Sequence, residues 1–219
     1  MFQGFTPQTI DFMKNLRINN RKDWFEENKE TFKQEFQIPM KLLGDEVYQK
    51  MKDEFADRDF ILKGSRIYRD ARRVRDGQPY RCNLWFTIQK QSDESGAIPV
   101  FWFNISPEEW SYGMGYYAPK ASTMTKYRTL IDQETEEFEL LILKLDSQDE
   151  FFLEGEEYKR VKVAPTEKTA TWYNRKGISL SHVSPISDLV YSRELVDRIV
   201  EGYRFLMPFY DYFVAIDFS

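Results

Sequence analysis

The sequence predicts an α+β protein, with a mostly antiparallel sheet on which N-terminal helices, two central helices and a long C-terminal helix pack. Three observations carry this prediction. Apolar residues recur at helical spacing through the first quarter of the chain, the period changes to two over residues 84–88 and 101–105, and helical spacing then returns in the middle and at the end. At 219 residues the chain is long enough to bury a full core, and no repeat or linker interrupts it, so a single domain over residues 1–219 is expected.

Each element has its own signal. Thr6-Pro7 supplies a cap and a first-turn proline ahead of Ile10, Phe12, Met13 and Leu16, and Asn19-Asn20 ends that helix. From Asn20, the residues Trp24, Asn28, Phe32 and Phe36 recur every fourth position, with Phe25 widening the stripe and charged residues solvating the other side. Pro39 admits a new helix start, and Met40, Leu43, Val47, Met51 and Phe55 continue the helical period up to the break at Asp57-Arg58-Asp59. The alternating runs 84–88 and 101–105 read as two strands joined through the polar segment QSDESGAIP. Residues 65–69 and 110–117 add neighbouring strands, with Gly113 and Gly115 marking a bulge or a close backbone approach. Helices follow over 122–131 and 135–145, then short strands near Phe151, over 158–163 and over 178–182. A long helix from Ser192 through Tyr210, kinked at Pro208, closes the chain.

Composition excludes several classes. With 42% hydrophobic, 16% aromatic and 31% charged residues the chain is a folded protein with an aromatic-rich core. It has no signal-peptide pattern and no apolar run of membrane-spanning length, and its one cysteine, Cys82, suits a reducing compartment, so a cytoplasmic location is expected. Cys82 reads as a small buried strand residue. One histidine and one cysteine do not make a structural zinc site, and no metal or other cofactor is called for. The single histidine, His182, is expected to be a strand residue and not a catalytic one.

The strongest functional signal is the run KGSRIYRDARRVRDGQPYR at residues 63–81. Its seven basic residues and two acids, Asp70 and Asp76, give it a local charge of +5 in a chain whose formal charge is −5. Concentrated positive charge in an acidic protein focuses an anion, and guanidinium forks match carboxylate and phosphate oxygens.

The segments NNRKDWFEENK (19–29), RIYRDARRVRDGQPYR (66–81), GMGYYAP (113–119), the Tyr127-Arg128 pair, EGEEYKR (154–160) and LMPFYDYF (206–213) together resemble the bacterial and fungal family called domain of unknown function 2461. The resemblance implies one domain and no particular reaction. This chain departs from the family pattern at Arg73, at Gly77 and over Val161-Lys162-Val163-Ala164.

The expectation that follows is an anion-binding pocket for a phosphorylated or carboxylated small molecule. It is formed by Arg66, Arg69 and Arg72 with Tyr80 nearby, and Tyr117, Arg128, Lys159 and Arg160 are further contributors. Asp70 is the candidate general base, although neighbouring cations suit it better to orienting the arginines. Whether the chain is an enzyme is left open. Two alternatives stand beside this expectation. In one, Tyr68, Tyr80 and Trp85 stack the bases of a single-stranded nucleic acid, which the pI near 5.2 disfavours. In the other, the loop 70–79 docks an acidic protein partner.

Overall fold

A computed structural model describes residues 1–70, 72, 74–91, 98–116 and 118–216. The fold is α+β. Helix α1 (Pro7–Ile18) begins as the sequence predicts, with the Thr6 side chain accepting the Thr9 N–H and the Thr9 side chain accepting the Thr6 N–H. Helix α2 (Lys22–Glu27) ends at Asn28. The short helix α3 (Lys29–Thr31) then passes through a π-helical turn at Phe32–Gln37 into α4 (Ile38–Glu54). The helix predicted from Asn20 and the one predicted from Pro39 are thus continuous from Lys29 onward. Pro39 carries no N–H for the carbonyl of Glu35, one turn back. Thr9 Oγ1 donates to that carbonyl at 2.5 Å, so it stays satisfied where the helical ladder is interrupted.

The strands are β1 (Phe60–Gly64), β2 (Leu84–Lys90), β3 (Val100–Ile105), β4 (Glu109–Gly115), β5 (Phe152–Glu154) and β6 (Ser179–Pro185). They form one six-stranded antiparallel sheet in the order β1-β2-β3-β4-β6-β5. Helices α5 (Ala121–Gln133) and α6 (Thr135–Asp146) are the two central helices, α7 (Glu167–Tyr173) follows β5, and α8 (Glu194–Ala215) is the long C-terminal helix, with Pro208 inside it. Gly113 and Gly115 lie in β4, where a Cβ would stand 2.1 Å from the Leu180 carbonyl oxygen and 2.3 Å from that of Ile178. Close backbone approach is therefore the reason for both glycines.

Two predicted strands are corrected. Residues 65–69 form no strand of the sheet. They pair locally through a Tyr68–Tyr80 bridge, with the Arg69 N–H on the Pro79 carbonyl and the Arg81 N–H on that of Ile67, both at 2.8 Å. Residues 158–163 are loop, because the side chain of Asn174 takes both backbone groups of Lys162: Oδ1 accepts its N–H at 2.7 Å and Nδ2 donates to its carbonyl at 3.2 Å. Cys82 is half-buried in the bend before β2, outside the strand. The greater part of QSDESGAIP lies outside the described residues.

The chain divides into two compact units. One comprises Met1–Ile88, Trp102–Tyr112 and Val183–Glu201, and the other Gln89–Phe101, Gly113–His182 and Gly202–Ser219. In the first, Phe12 packs on Trp24, Phe32 and Phe36, and Phe25 stacks on Tyr80 with ring centroids 4.1 Å apart. In the second, Tyr127, Phe138, Trp172, Phe209 and Phe213 form a chain of ring contacts. Each well-packed aromatic pair contributes about 0.5–1.5 kcal/mol beyond its buried area. Among the described residues no helix is long and apolar enough to cross a membrane.

Candidate functional site

Two of the seven cations in the basic run of residues 63–81, Arg69 and Arg72, are held by the run's own acids. Arg69 Nη1 donates to both carboxylate oxygens of Asp76, at 2.9 and 2.8 Å, and to the Gln78 carbonyl. The bond from Arg69, aided by the Gln78 N–H, holds the Asp76 carboxyl below its usual range. Arg72 grips Asp70 with a bidentate fork, Nε to Oδ1 at 3.0 Å and Nη2 to Oδ2 at 2.9 Å, on a side chain that is 88% exposed. Asp70 thus pairs with Arg72 and is not set as a base. Arg66 is exposed, and Tyr80, at 3% exposure, has its ring against Phe25 and its backbone clamped by Asn20. Of Arg66, Arg69 and Arg72, expected from the sequence to form a pocket, two have their forks engaged within the loop, Arg69 by an acid seven residues away and Arg72 by one two residues away. Tyr117 and Arg73 lie outside the described residues.

Arg128 is different. It projects from α5 on the same face as Met124, Tyr127 and Ile131 and is only 9% exposed. Its guanidinium carbon lies 5.4 Å from the ring centroid of Tyr158 and 6.0 Å from that of Tyr173. Nη2 makes a 3.3 Å bond to Thr125 Oγ1, Nη1 has no hydrogen-bond partner, and no carboxylate among the described residues pairs with the group. Asp132, one turn along α5, is engaged instead by the Tyr173 hydroxyl at 3.1 Å. Burial, followed by that bond, raises the Tyr173 phenol above its usual range.

Tyr127 and Arg175, in the same unit, also carry buried donors without hydrogen-bond partners. The hydroxyl of Tyr127 is fully buried, and burial pushes its pKa well above the usual phenol value, against the pull of Arg128 and Arg175. It is therefore a neutral O–H donor. Arg175 lends Nη1 to the Gly155 carbonyl and sets Nη2 3.5 Å from Glu157, leaving Nε buried and unbonded. The isolated bridge between Glu157 and Arg175, with the Tyr158 N–H on the Asn174 carbonyl, carries Tyr158 to this place. Lys162 stands over the other ring contact of Tyr158, its Nζ 5.1 Å from the centroid. Lys159 and Arg160 are exposed in the same loop.

Sequence reasoning named Arg128 and missed Tyr127, Tyr158, Tyr173, Arg175 and Lys162 as its surroundings. The available signal was the helical period, which puts an arginine in line with Met124 and Ile131. His182 lies in β6, with Nδ1 3.0 Å from the Glu150 carbonyl oxygen. Among the described residues no three His, Cys, Asp or Glu side chains gather as a metal site.

The fold and this arrangement define an α+β protein with a buried arginine among tyrosines, paired with no carboxylate among the described residues. The chain belongs to the conserved hypothetical protein family DUF2461, whose family model matches residues 8–212. A search of curated proteins finds no match.

Proposed function

We propose that the protein binds an anionic small molecule, a carboxylate or a phosphate ester, through Arg128. The observation that supports this reading is the guanidinium of Arg128, nine-tenths buried, with Nη1 unbonded and no carboxylate partner among the described residues. A buried donor left unbonded costs about 1–3 kcal/mol, and an anion that pairs with it recovers that energy on binding. Charge-assisted bonds to a planar guanidinium are about twice as strong as neutral ones and fix the orientation of the bound group. The rings of Tyr158 and Tyr173 lie 5.4 and 6.0 Å from the guanidinium carbon.

Thermal denaturation of the full chain against acetate, benzoate, inorganic phosphate and sulfate at constant ionic strength tests the reading. A ligand at about 100 times its Kd adds about 2.7 kcal/mol. That raises Tm by roughly 5–10 °C for a protein of this size. The rise is expected to vanish in Arg128→Met. If no anion raises Tm, or the rise survives in that variant, the reading is wrong.

A further inference from the structure

We infer that the sheet face around Trp85 and Trp102 binds a short single-stranded nucleic acid, stacking bases on the two indoles and holding phosphates with the neighbouring cations. The inference is independent of the Arg128 reading, and every residue it uses lies in the first compact unit. The two faces of the sheet differ there. On one, Leu84, Phe86 and Ile88 of β2 and Phe103 and Ile105 of β3 are buried, with Phe86 stacked on Phe103. The alternate residues Trp85, Thr87, Trp102 and Asn104 point to the other face and are only half-buried. Asn83 Nδ2 donates to Asn104 Oδ1 at 2.6 Å, which aligns the two antiparallel strands. The next residue of this face on each strand is a tryptophan. Among the described residues neither indole makes a ring contact, whereas Tyr68 and Tyr80 are already packed with Phe25. The stacking role that the sequence shares among Tyr68, Tyr80 and Trp85 therefore falls to Trp85 and Trp102.

Charge decides the kind of ligand. A Cβ on Gly44 of α4 would lie 3.4 Å from the Phe86 ring and 3.6 Å from Leu62 Cδ1, so Leu62 and Phe86 share the helix-covered face. Lys63 of β1 therefore points to the other face, with Trp85. Ser65 fixes the chain beside that indole: its N–H donates to the Trp85 carbonyl at 2.8 Å, and its Oγ accepts the Trp85 N–H at 2.9 Å. Arg66 is the next residue, and Arg81 lies three positions before β2. Lys63, Arg66 and Arg81 pair with no carboxylate among the described residues, since the acids of the run hold Arg69 and Arg72. The acid on this face of β1–β4 is Glu109, at the β3–β4 turn. Three unpaired cations against one acid leave the patch positive. A neutral sugar would use the indoles and amides and leave the cations idle, and an acidic peptide would use the cations and leave the indoles idle. A nucleotide brings a planar base, donors and acceptors on its edge, and a phosphate. The formal charge of −5 on the whole chain repels a long polyanion, so the bound segment is short, with one base for each indole.

Fluorescence anisotropy of labelled thymidine and uridine tetranucleotides, titrated with the full chain at about 50 mM salt, tests the inference. Binding of either is expected. Raising the salt to about 200 mM is expected to weaken it by about 7- to 20-fold, the value for two or three phosphate contacts on a single strand. Trp85→Ala and Trp102→Ala are each expected to weaken binding by about 5- to 150-fold. Lys63→Gln, at an exposed position, is expected to weaken it at low salt and to flatten the salt dependence. Unlabelled tetraglutamate and a neutral tetrasaccharide are expected not to compete at matched concentration. Failure of both oligonucleotides to bind, binding indifferent to the two tryptophans, or competition by the peptide or the sugar as strong as that of unlabelled oligonucleotide overturns the inference. If the tryptophan variants do not fold, Lys63→Gln still decides, since an unchanged affinity and salt dependence there remove the phosphate contact from this face.

Discussion

Replacing Arg128 by Met separates a ligand-binding arginine from a structural one. Methionine follows the same unbranched path and removes the charge. The unbonded Nη1 costs about 1–3 kcal/mol in the free protein, and the substitution recovers it. Against this stand the two ring contacts of the guanidinium, about 0.5–1 kcal/mol each. The 3.3 Å bond to Thr125 adds about 0.5 kcal/mol to the loss. The opposing contributions are of similar size, so Arg128→Met is expected to lie within about 1 kcal/mol of the parent, a change in Tm below about 4 °C. A buried arginine in a structural ion pair loses about 3–5 kcal/mol on the same truncation. Urea denaturation followed by tryptophan fluorescence distinguishes the two cases. A loss of about 3 kcal/mol or more refutes the assignment, because it means that Arg128 already has its partner within the fold.

Asn174→Ala removes three side-chain hydrogen bonds, two to Lys162 and one to the Ala170 carbonyl, and is expected to cost about 2–4 kcal/mol in urea denaturation. A cost under about 1 kcal/mol means the loop is held by other groups. Gly113→Ala forces a Cβ to within 2.1 Å of the Leu180 carbonyl oxygen and is expected to lower stability by about 2–3 kcal/mol or to prevent folding, and a neutral result contradicts the close approach. For Asp76 the sign follows from its partner. Arg69 holds the carboxyl below its unfolded-state value, so the pair stabilises the fold above the ordinary carboxylate range, and that contribution disappears as pH falls through the lowered value. An NMR titration is expected to place the Asp76 midpoint below that of an ordinary aspartate and to move it upward in Arg69→Gln; an unmoved midpoint removes the pair.

Much of the fold is legible in the residues because burial imposes a period. Phe12, Met13 and Leu16 announce α1, Leu43, Val47 and Met51 announce α4, and Leu84, Phe86 and Ile88 announce β2, and all of them are buried. Helix α7 escapes notice because its seven residues hold few apolar positions, although the Thr166 and Thr169 side chains form its capping box. Residues 158–163 alternate like a strand yet are loop, since a single distant amide claims their backbone and no period records that. The arginine run shows a related limit. Charge density is visible in a sequence, whereas pairing is not, and Asp70 and Asp76 complete their pairs through a local turn. Arg128 sends the weaker signal and makes the less satisfied site. An arginine four residues before an aspartate resembles a surface ion pair, and only the burial of Met124, Tyr127 and Ile131 shows that this face of α5 turns inward.

The side-chain amide of Asn174 grips the loop at Lys162 by main-chain atoms alone, as Asn20 grips Tyr80 at the Tyr68–Tyr80 bridge. Main-chain atoms are the same whatever residue carries them. Val161 and Val163, 78% and 94% exposed, are therefore free to vary without shifting the path of the chain. Substitutions at positions 161 and 163 are able to change the surface beside Lys162 while the path of the loop stays fixed.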